Sequence, residues 1–261
     1  MSGPKFLGEG LPYIESEAWG GWLIAIEGCD GVGRTTQLKM LREWLELQGF
    51  GVVETEWTSE SLIEESIPDA QAGRPMDPLT YSLLWATDFA DRLEKVIIPA
   101  LRNGFVVLSD RYVFTALARN AVRGADPQWV RDLFGFSLLP DLVLYLQIDV
   151  NSLARRVLRK GRINAVEAGL DLRLGDDRYE CFKRYQTRLI REFNRLADEF
   201  NFLTINARRS AELTQKEVRQ VMARFVERRQ REKAAKQKSA TKKSGSKRSA
   251  SKAKSKNKSR T

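Results

Sequence analysis

Residues able to do chemistry concentrate in one short stretch, Gly28-Cys29-Asp30-Gly31-Val32-Gly33-Arg34-Thr35-Thr36. From Gly28 to Thr35 it follows the spacing G-x-x-x-x-G-K-[ST], with arginine in place of the lysine. Glycines let the backbone fold around a phosphate with its N–H groups turned inward. A helix opening at the same point adds positive potential. The Thr35 hydroxyl is then a ligand for Mg²⁺ beside a nucleoside triphosphate. Arg34 brings a longer, planar guanidinium to a position where a compact ammonium ordinarily reaches the phosphates.

A second constellation is Ser109-Asp110-Arg111-Tyr112, at the carboxyl end of the apolar run 105–109. Ligands of parallel sheets sit at such strand ends. There an aspartate holds Mg²⁺ through water, and an arginine grips a phosphate with two parallel hydrogen bonds. Further on, Arg155, Arg159 and Arg162 fall at i, i+4 and i+7, with Arg156 and Lys160 beside them. Like charges at that spacing repel by roughly 0.2–0.5 kcal/mol per pair, which a polyanion relieves. This arginine-rich segment reads as a lid over triphosphate oxygens. The chain has no histidine, which excludes Ser-His-Asp and Cys-His nucleophilic catalysis and histidine metal sites. Two cysteines, Cys29 and Cys181, make neither a disulfide scaffold nor a zinc site, and a reducing cytoplasm is expected.

The elements that must position these groups alternate. Strands are predicted at 22–27, 52–55, 105–109, 142–148 and 202–205. Helices are predicted at 35–48, from Pro78 towards Leu101, and at 113–121, 128–138, 151–159, 176–200 and 211–229. That order predicts an α/β fold: a doubly wound parallel sheet of about five strands flanked by helices. Residues 1–20 read as an irregular extension and 21–230 as the nucleotide-binding domain. Residues 231–261 read as a basic tail of Lys, Ser and Ala. No 18-residue apolar window marks a membrane span, and the first residues lack the pattern of a secretory signal.

The charge must be split to be informative. Of the +10 over 261 residues, residues 228–261 hold 15 bases and one acid, Glu232. The preceding 227 residues hold 29 bases and 33 acids, a net of −4. The folded part is mildly acidic. The tail, without aromatic or large aliphatic residues, cannot bury enough surface to offset its ordering entropy and is expected to be disordered. Non-specific binding of nucleic acid or another polyanion is expected of the tail alone.

The stretches EGCDGVGRTTQ, VIIPAL, SDRYVFTALA, RGAD and PDLVLYL, in this order, resemble the thymidylate kinase family over residues 22–226. The resemblance implies a P-loop NTPase-type α/β fold and transfer of the ATP γ-phosphate to dTMP with Mg²⁺. It also implies a homodimer. It assigns phosphate-transfer roles to Arg34, Asp110 and Arg111, metal binding to Thr35 and Asp110, and a lid arginine to Arg155 or Arg159. Family members without a basic residue early in the phosphate loop supply one from the lid, and this chain has Gly31 there. Asp30, Trp85, Phe89, Arg111 and Arg119 fall at acceptor positions.

Several of these depart from the family pattern. Thr55-Glu56-Trp57 stands for Arg-Glu-Pro, so a phosphate-binding arginine is missing. Trp85 takes the place of the aromatic that stacks on thymine, and fits a core helical face equally well. Phe89 replaces a base-contacting arginine, and Arg119-Asn120 replaces Tyr-Gln. Two alternatives therefore stand beside a dTMP kinase. One is a kinase for another nucleoside monophosphate; the other is a weakly catalytic nucleotide-binding protein tethered to nucleic acid by its tail.

Overall fold

The structure is a computed structural model that describes residues 4–14, 19–57, 77–159, 161, 163 and 165–256. It divides into two compact units, residues 2–219 and residues 220–261.

The first unit carries a five-stranded sheet in the order β2-β3-β1-β4-β5, with every neighbouring pair parallel. The strands are β1 Trp22–Glu27, β2 Val52–Glu56, β3 Val106–Asp110, β4 Leu142–Gln147 and β5 Leu203–Asn206. All of β3 and nearly all of β1 and β4 are buried, as expected where helices cover both faces. The helices are α1 Arg34–Leu47, α2 Pro78–Arg92, α3 Ile98–Arg102, α4 Val113–Val122, α5 Pro127–Leu133, α6 Val150–Arg159, α7 Ala165–Ala168, α8 Arg178–Phe200 and α9 Ala211–Lys256. The doubly wound α/β expectation holds, and all five predicted strands are present.

Three helical stretches differ from the sequence reading. The stretch from Pro78 is interrupted by a π-helical turn at Leu93–Ile97 before α3 resumes. Pro99 is the cause: it has no N–H and its ring crowds the carbonyl four residues earlier. The helix expected over 128–138 stops at Leu133. Beyond it the chain pairs with the N-terminal extension: Leu7 N–H donates to the Ser137 carbonyl, Gly8 N–H to Gly135, and Leu139 N–H to Lys5. The last helix runs on to Lys256, through the stretch for which composition predicts disorder. Lysine, alanine and arginine are strong helix formers, so local propensity and the lack of an apolar face pull in opposite directions there. Among the described residues no helix is long and apolar enough to cross a membrane.

The sheet positions the site through register. Ile26 of β1 lies opposite Asp110 of β3, and Glu56 of β2 also pairs with Asp110. The Asp110 carboxylate therefore emerges beside the loop that begins at Gly28.

Candidate active site

The loop between β1 and α1 folds as its glycines require. Gly33 sits at φ 104° immediately before α1, and no side chain caps that helix. Its first N–H groups thus have no side-chain cap. Gly31 sits at φ 83°, and a Cβ there would lie 2.6 Å from Val157 Cγ2, because α6 packs directly on the loop.

Arg34 does not project away from the loop. Its buried guanidinium turns inward: Nε donates to Asp110 Oδ1 at 2.7 Å and Nη1 to the Cys29 carbonyl at 2.6 Å. Nη1 also donates to the Gly28 carbonyl, and Nη2 stands 4.0 Å from Asp30. Burial disfavours its charge, but Asp110 and Asp30 outweigh that and raise its pKa. Thr35 is exposed, and its hydroxyl donates to Asp110 Oδ2 at 2.6 Å. Asp110 is thereby held in its charged form against the cost of burial, by Arg34, Thr35 and Arg111.

Asp30 is the hub of the second half of the site. Arg111 donates to its Oδ1, Arg119 reaches both oxygens at 3.4 Å, and Gln186 Nε2 of α8 lies at 3.3 Å. Burial alone would raise its pKa; the attraction of Arg111, Arg119 and Arg34 drives it well below the usual carboxylate range instead. Cys29 has the opposite fate. Burial, helped by Asp30, pushes its thiol up to about 12, so it is no nucleophile at neutral pH.

The turn after β3 is anchored from β1. Glu27 Oε1 accepts the N–H groups of Tyr112 and Thr115, and Oε2 accepts the Thr115 hydroxyl at 2.6 Å. Arg111 itself has φ 65°, in the left-handed region. Its carbonyl accepts from Ser109 Oγ at 2.6 Å and from Arg92 Nη2 at 3.2 Å.

The side of the site that Arg119 reaches is aromatic. Trp85 of α2 is half-buried and meets Trp57 edge-on at 5.0 Å, while the Arg119 guanidinium lies 5.8 Å from the Trp85 ring. Trp57 is anchored by its Nε1–H to Asp88 Oδ2 at 2.8 Å. Phe89, expected at an acceptor position, is instead fully buried among Trp57, Tyr112, Phe134 and Phe136 and offers no surface of its own. Asn120 accepts from Ser82 Oγ at 2.6 Å.

The structure thus brings together Gly28 to Thr35, Asp110, Arg111 and Arg119, with Trp85 alongside. Arg155 and Arg159 are exposed on α6 and, among the described residues, make no hydrogen bond or ion pair to the loop; Arg155 donates to Ser152 Oγ. Their neighbour Arg156 does touch it, with Nη1 donating to the Val32 carbonyl at 3.0 Å and Nη2 to the Arg209 carbonyl at 2.8 Å. Lys160 and Arg162 lie outside the described residues. Sequence reasoning missed Glu27, Arg92, Arg156 as the loop contact, and Gln186. Arg92 carried a signal, since Trp85, Phe89 and Arg92 fall at i, i+4 and i+7 on one helical face. Gln186 carried none.

Comparison with known proteins places the chain in a family. The thymidylate kinase family model matches residues 26–218. "Probable thymidylate kinase 2" of Saccharolobus solfataricus is 37% identical over 210 residues, 79% of this chain and 98% of that one. "Probable thymidylate kinase" of Thermococcus gammatolerans is 32% identical, over 76% of this chain and 94% of its own. "Thymidylate kinase" of Cutibacterium acnes is 30% identical, over 77% and 96%. With its phosphate loop and its Asp-Arg strand end placed on one parallel sheet, and with that match over most of its length, the chain belongs to the thymidylate kinase family.

Proposed function

We propose that the protein transfers the ATP γ-phosphoryl group to a pyrimidine deoxynucleoside monophosphate, dTMP first among them. The observation that carries this reading is the sharing of Asp30 between two cationic groups. Arg34 of the donor-phosphate loop lies on one side, and Arg111 and Arg119 of the acceptor side lie on the other. The donor and acceptor sides of the site thus meet at one carboxylate. Positioning and charge neutralisation do most of the work in such transfers, which suits a chain with no histidine.

The donor phosphates lie against the N–H groups of Gly28 to Thr36, with Arg34 framing the loop. Arg111 grips the acceptor phosphate, Arg119 flanks it, and Trp85 faces the base. Arg155 and Arg159, on the helix that packs against the loop, close over the transferring group and spread its charge. The divalent ion that the family implies finds hard oxygen donors in place. The Thr35 hydroxyl and the Asp110 carboxylate are in contact, and among the described residues no group of three acidic, histidine or cysteine side chains forms a cage. One hydroxyl and one carboxylate, completed by water and phosphate, suit Mg²⁺ rather than a structural ion. Bound there, the ion would screen the β- and γ-phosphate oxygens.

The protein works as a homodimer in this reading, and its basic tail is a separate polyanion-binding appendage. An ADP-release assay across the nucleoside monophosphates, with ATP and Mg²⁺, tests the kinase. dTMP should give the highest kcat/KM. Release no faster with any monophosphate than without one would leave a nucleotide-binding protein in its place.

A further inference from the structure

The backbone at Arg111 occupies a region that residues other than glycine adopt only when their surroundings enforce it. Glu27 holds the N–H groups that follow the turn, and Trp57 N–H holds the Asp110 carbonyl that precedes it; among the described residues three contacts bear on the Arg111 peptide groups themselves. Arg111 N–H donates to the Ile26 carbonyl at 3.1 Å. Its own carbonyl accepts from Ser109 Oγ at 2.6 Å and from Arg92 Nη2 at 3.2 Å, and that Nη2 also donates to Ser109 Oγ at 3.0 Å. Arg92, from the end of α2, therefore ties the turn down from outside its own strand.

Arg92 is an unusual residue to spend on this. Its guanidinium lies 5.5 Å from the Trp57 ring and 5.8 Å from the Phe89 ring, and among the described residues its buried Nε and Nη1 make no hydrogen bond. Burial lowers its pKa to about 10, against the pull of Tyr112, Asp88, Glu27 and Asp110, and among the described residues no carboxylate forms an ion pair with it. A buried cation without a carboxylate partner is a poor stabiliser, and an apolar side chain of similar volume would ordinarily serve the fold better. Trp57, on which it lies, ends the segment Thr55-Glu56-Trp57 that lacks the phosphate-binding arginine of the family pattern.

We infer that Arg92 is a positioning residue for the acceptor phosphate: by holding the Arg111 carbonyl in its left-handed turn, it aims the Arg111 guanidinium at Asp30 and at the incoming monophosphate. This rests on the reading of Arg111 as the acceptor clamp. It accounts for a charge that the fold itself does not need, and it links α2, which carries Trp85, to the strand that carries the clamp.

The test is steady-state kinetics with dTMP and ATP varied separately. Arg92→Met keeps the volume and removes the charged donor, and kcat/KM for dTMP should fall about tenfold to hundredfold with KM for ATP unchanged. Ser109→Ala, a small change that leaves Arg92 in place, should move the same parameter in the same direction by less. In the double variant Arg92→Met/Arg111→Ala the loss should not exceed that of Arg111→Ala alone, because both act through one side chain. Losses that multiply, or that fall equally on ATP and dTMP, would overturn the assignment while leaving the clamp intact. Should Arg92→Met fail to fold, unchanged dTMP kinetics in Ser109→Ala would overturn it as well. Unchanged dTMP kinetics in Arg111→Ala would remove the clamp itself, and the role of Arg92 with it.

Discussion

Replacing Arg34 by lysine asks whether the phosphate loop has been rebuilt around a guanidinium. The fork of Arg34 bridges two sides of the loop: Nε holds Asp110 Oδ1 at 2.7 Å, while Nη1 holds the Gly28 and Cys29 carbonyls. Lysine ends in a single nitrogen on a shorter reach, so it keeps the charge but cannot bridge the same two sides from one point. At least one charge-assisted bond is lost, worth about 1.5–3 kcal/mol. Carried into the transition state, that is roughly a tenfold to hundredfold loss of kcat. The loss falls on the donor side, so KM for dTMP should not move. The assay is coupled ADP release at saturating substrates, repeated as a single turnover so that a change in product release is not mistaken for chemistry. A kcat in Arg34→Lys equal to or above that of the parent is the opposite result. It would mean that the bridge seen in the structure contributes nothing to transfer.

Other outcomes follow from the same geometry. Asp30→Asn leaves Arg111, Arg119 and Arg34 without their shared counter-charge. It should cost about 3–5 kcal/mol, roughly 6–20 °C in Tm by thermal unfolding; a Tm within error of the parent would contradict it. Because the Asp30 pKa is lowered on folding, its stabilising contribution is complete above its ordinary value of 3.8 and is lost only as pH falls below that. Unfolding midpoints of parent and Asp30→Asn should therefore differ by a constant amount from pH 6 to pH 8, and a gap that closes across that range would count against the assignment. Cys29, pushed up to about 12, should resist alkylation in the native protein at pH 8 and react once unfolded, as peptide mass mapping would show. Removing residues 233–261 should abolish retention of duplex DNA at low salt and leave kinase kinetics unchanged. Binding that survives the truncation would place the DNA site on the acidic domain.

Much of this was legible in the sequence, for physical reasons that differ from element to element. Strands β1, β3 and β4 are near-continuous apolar runs because helices bury both of their faces, and glycine, proline or aspartate fixes their ends. The phosphate loop was legible because its chemistry fixes residue type and spacing together. What escaped depends on distant contacts. The stop of α5 at Leu133 is set by the N-terminal extension pairing with residues 135–139, which no local pattern announces. That Arg156 rather than Arg155 or Arg159 meets the loop depends on the rotation of α6, fixed by Val157 packing on Gly31. Gln186 reaches Asp30 from a helix more than 150 residues away in the chain, and nothing in its surroundings distinguishes it from an ordinary core glutamine.

The central claim is that one phosphoryl group passes from ATP to a monophosphate across Asp30 and Arg111. The most direct measurement is ³¹P NMR of a mixture of protein, ATP, Mg²⁺ and dTMP. Transfer to dTMP should give dTDP α- and β-phosphate resonances in step with ADP, at equal amounts and with no inorganic phosphate. ADP accompanied by inorganic phosphate alone, or an unchanged ATP spectrum at high protein concentration, would contradict it.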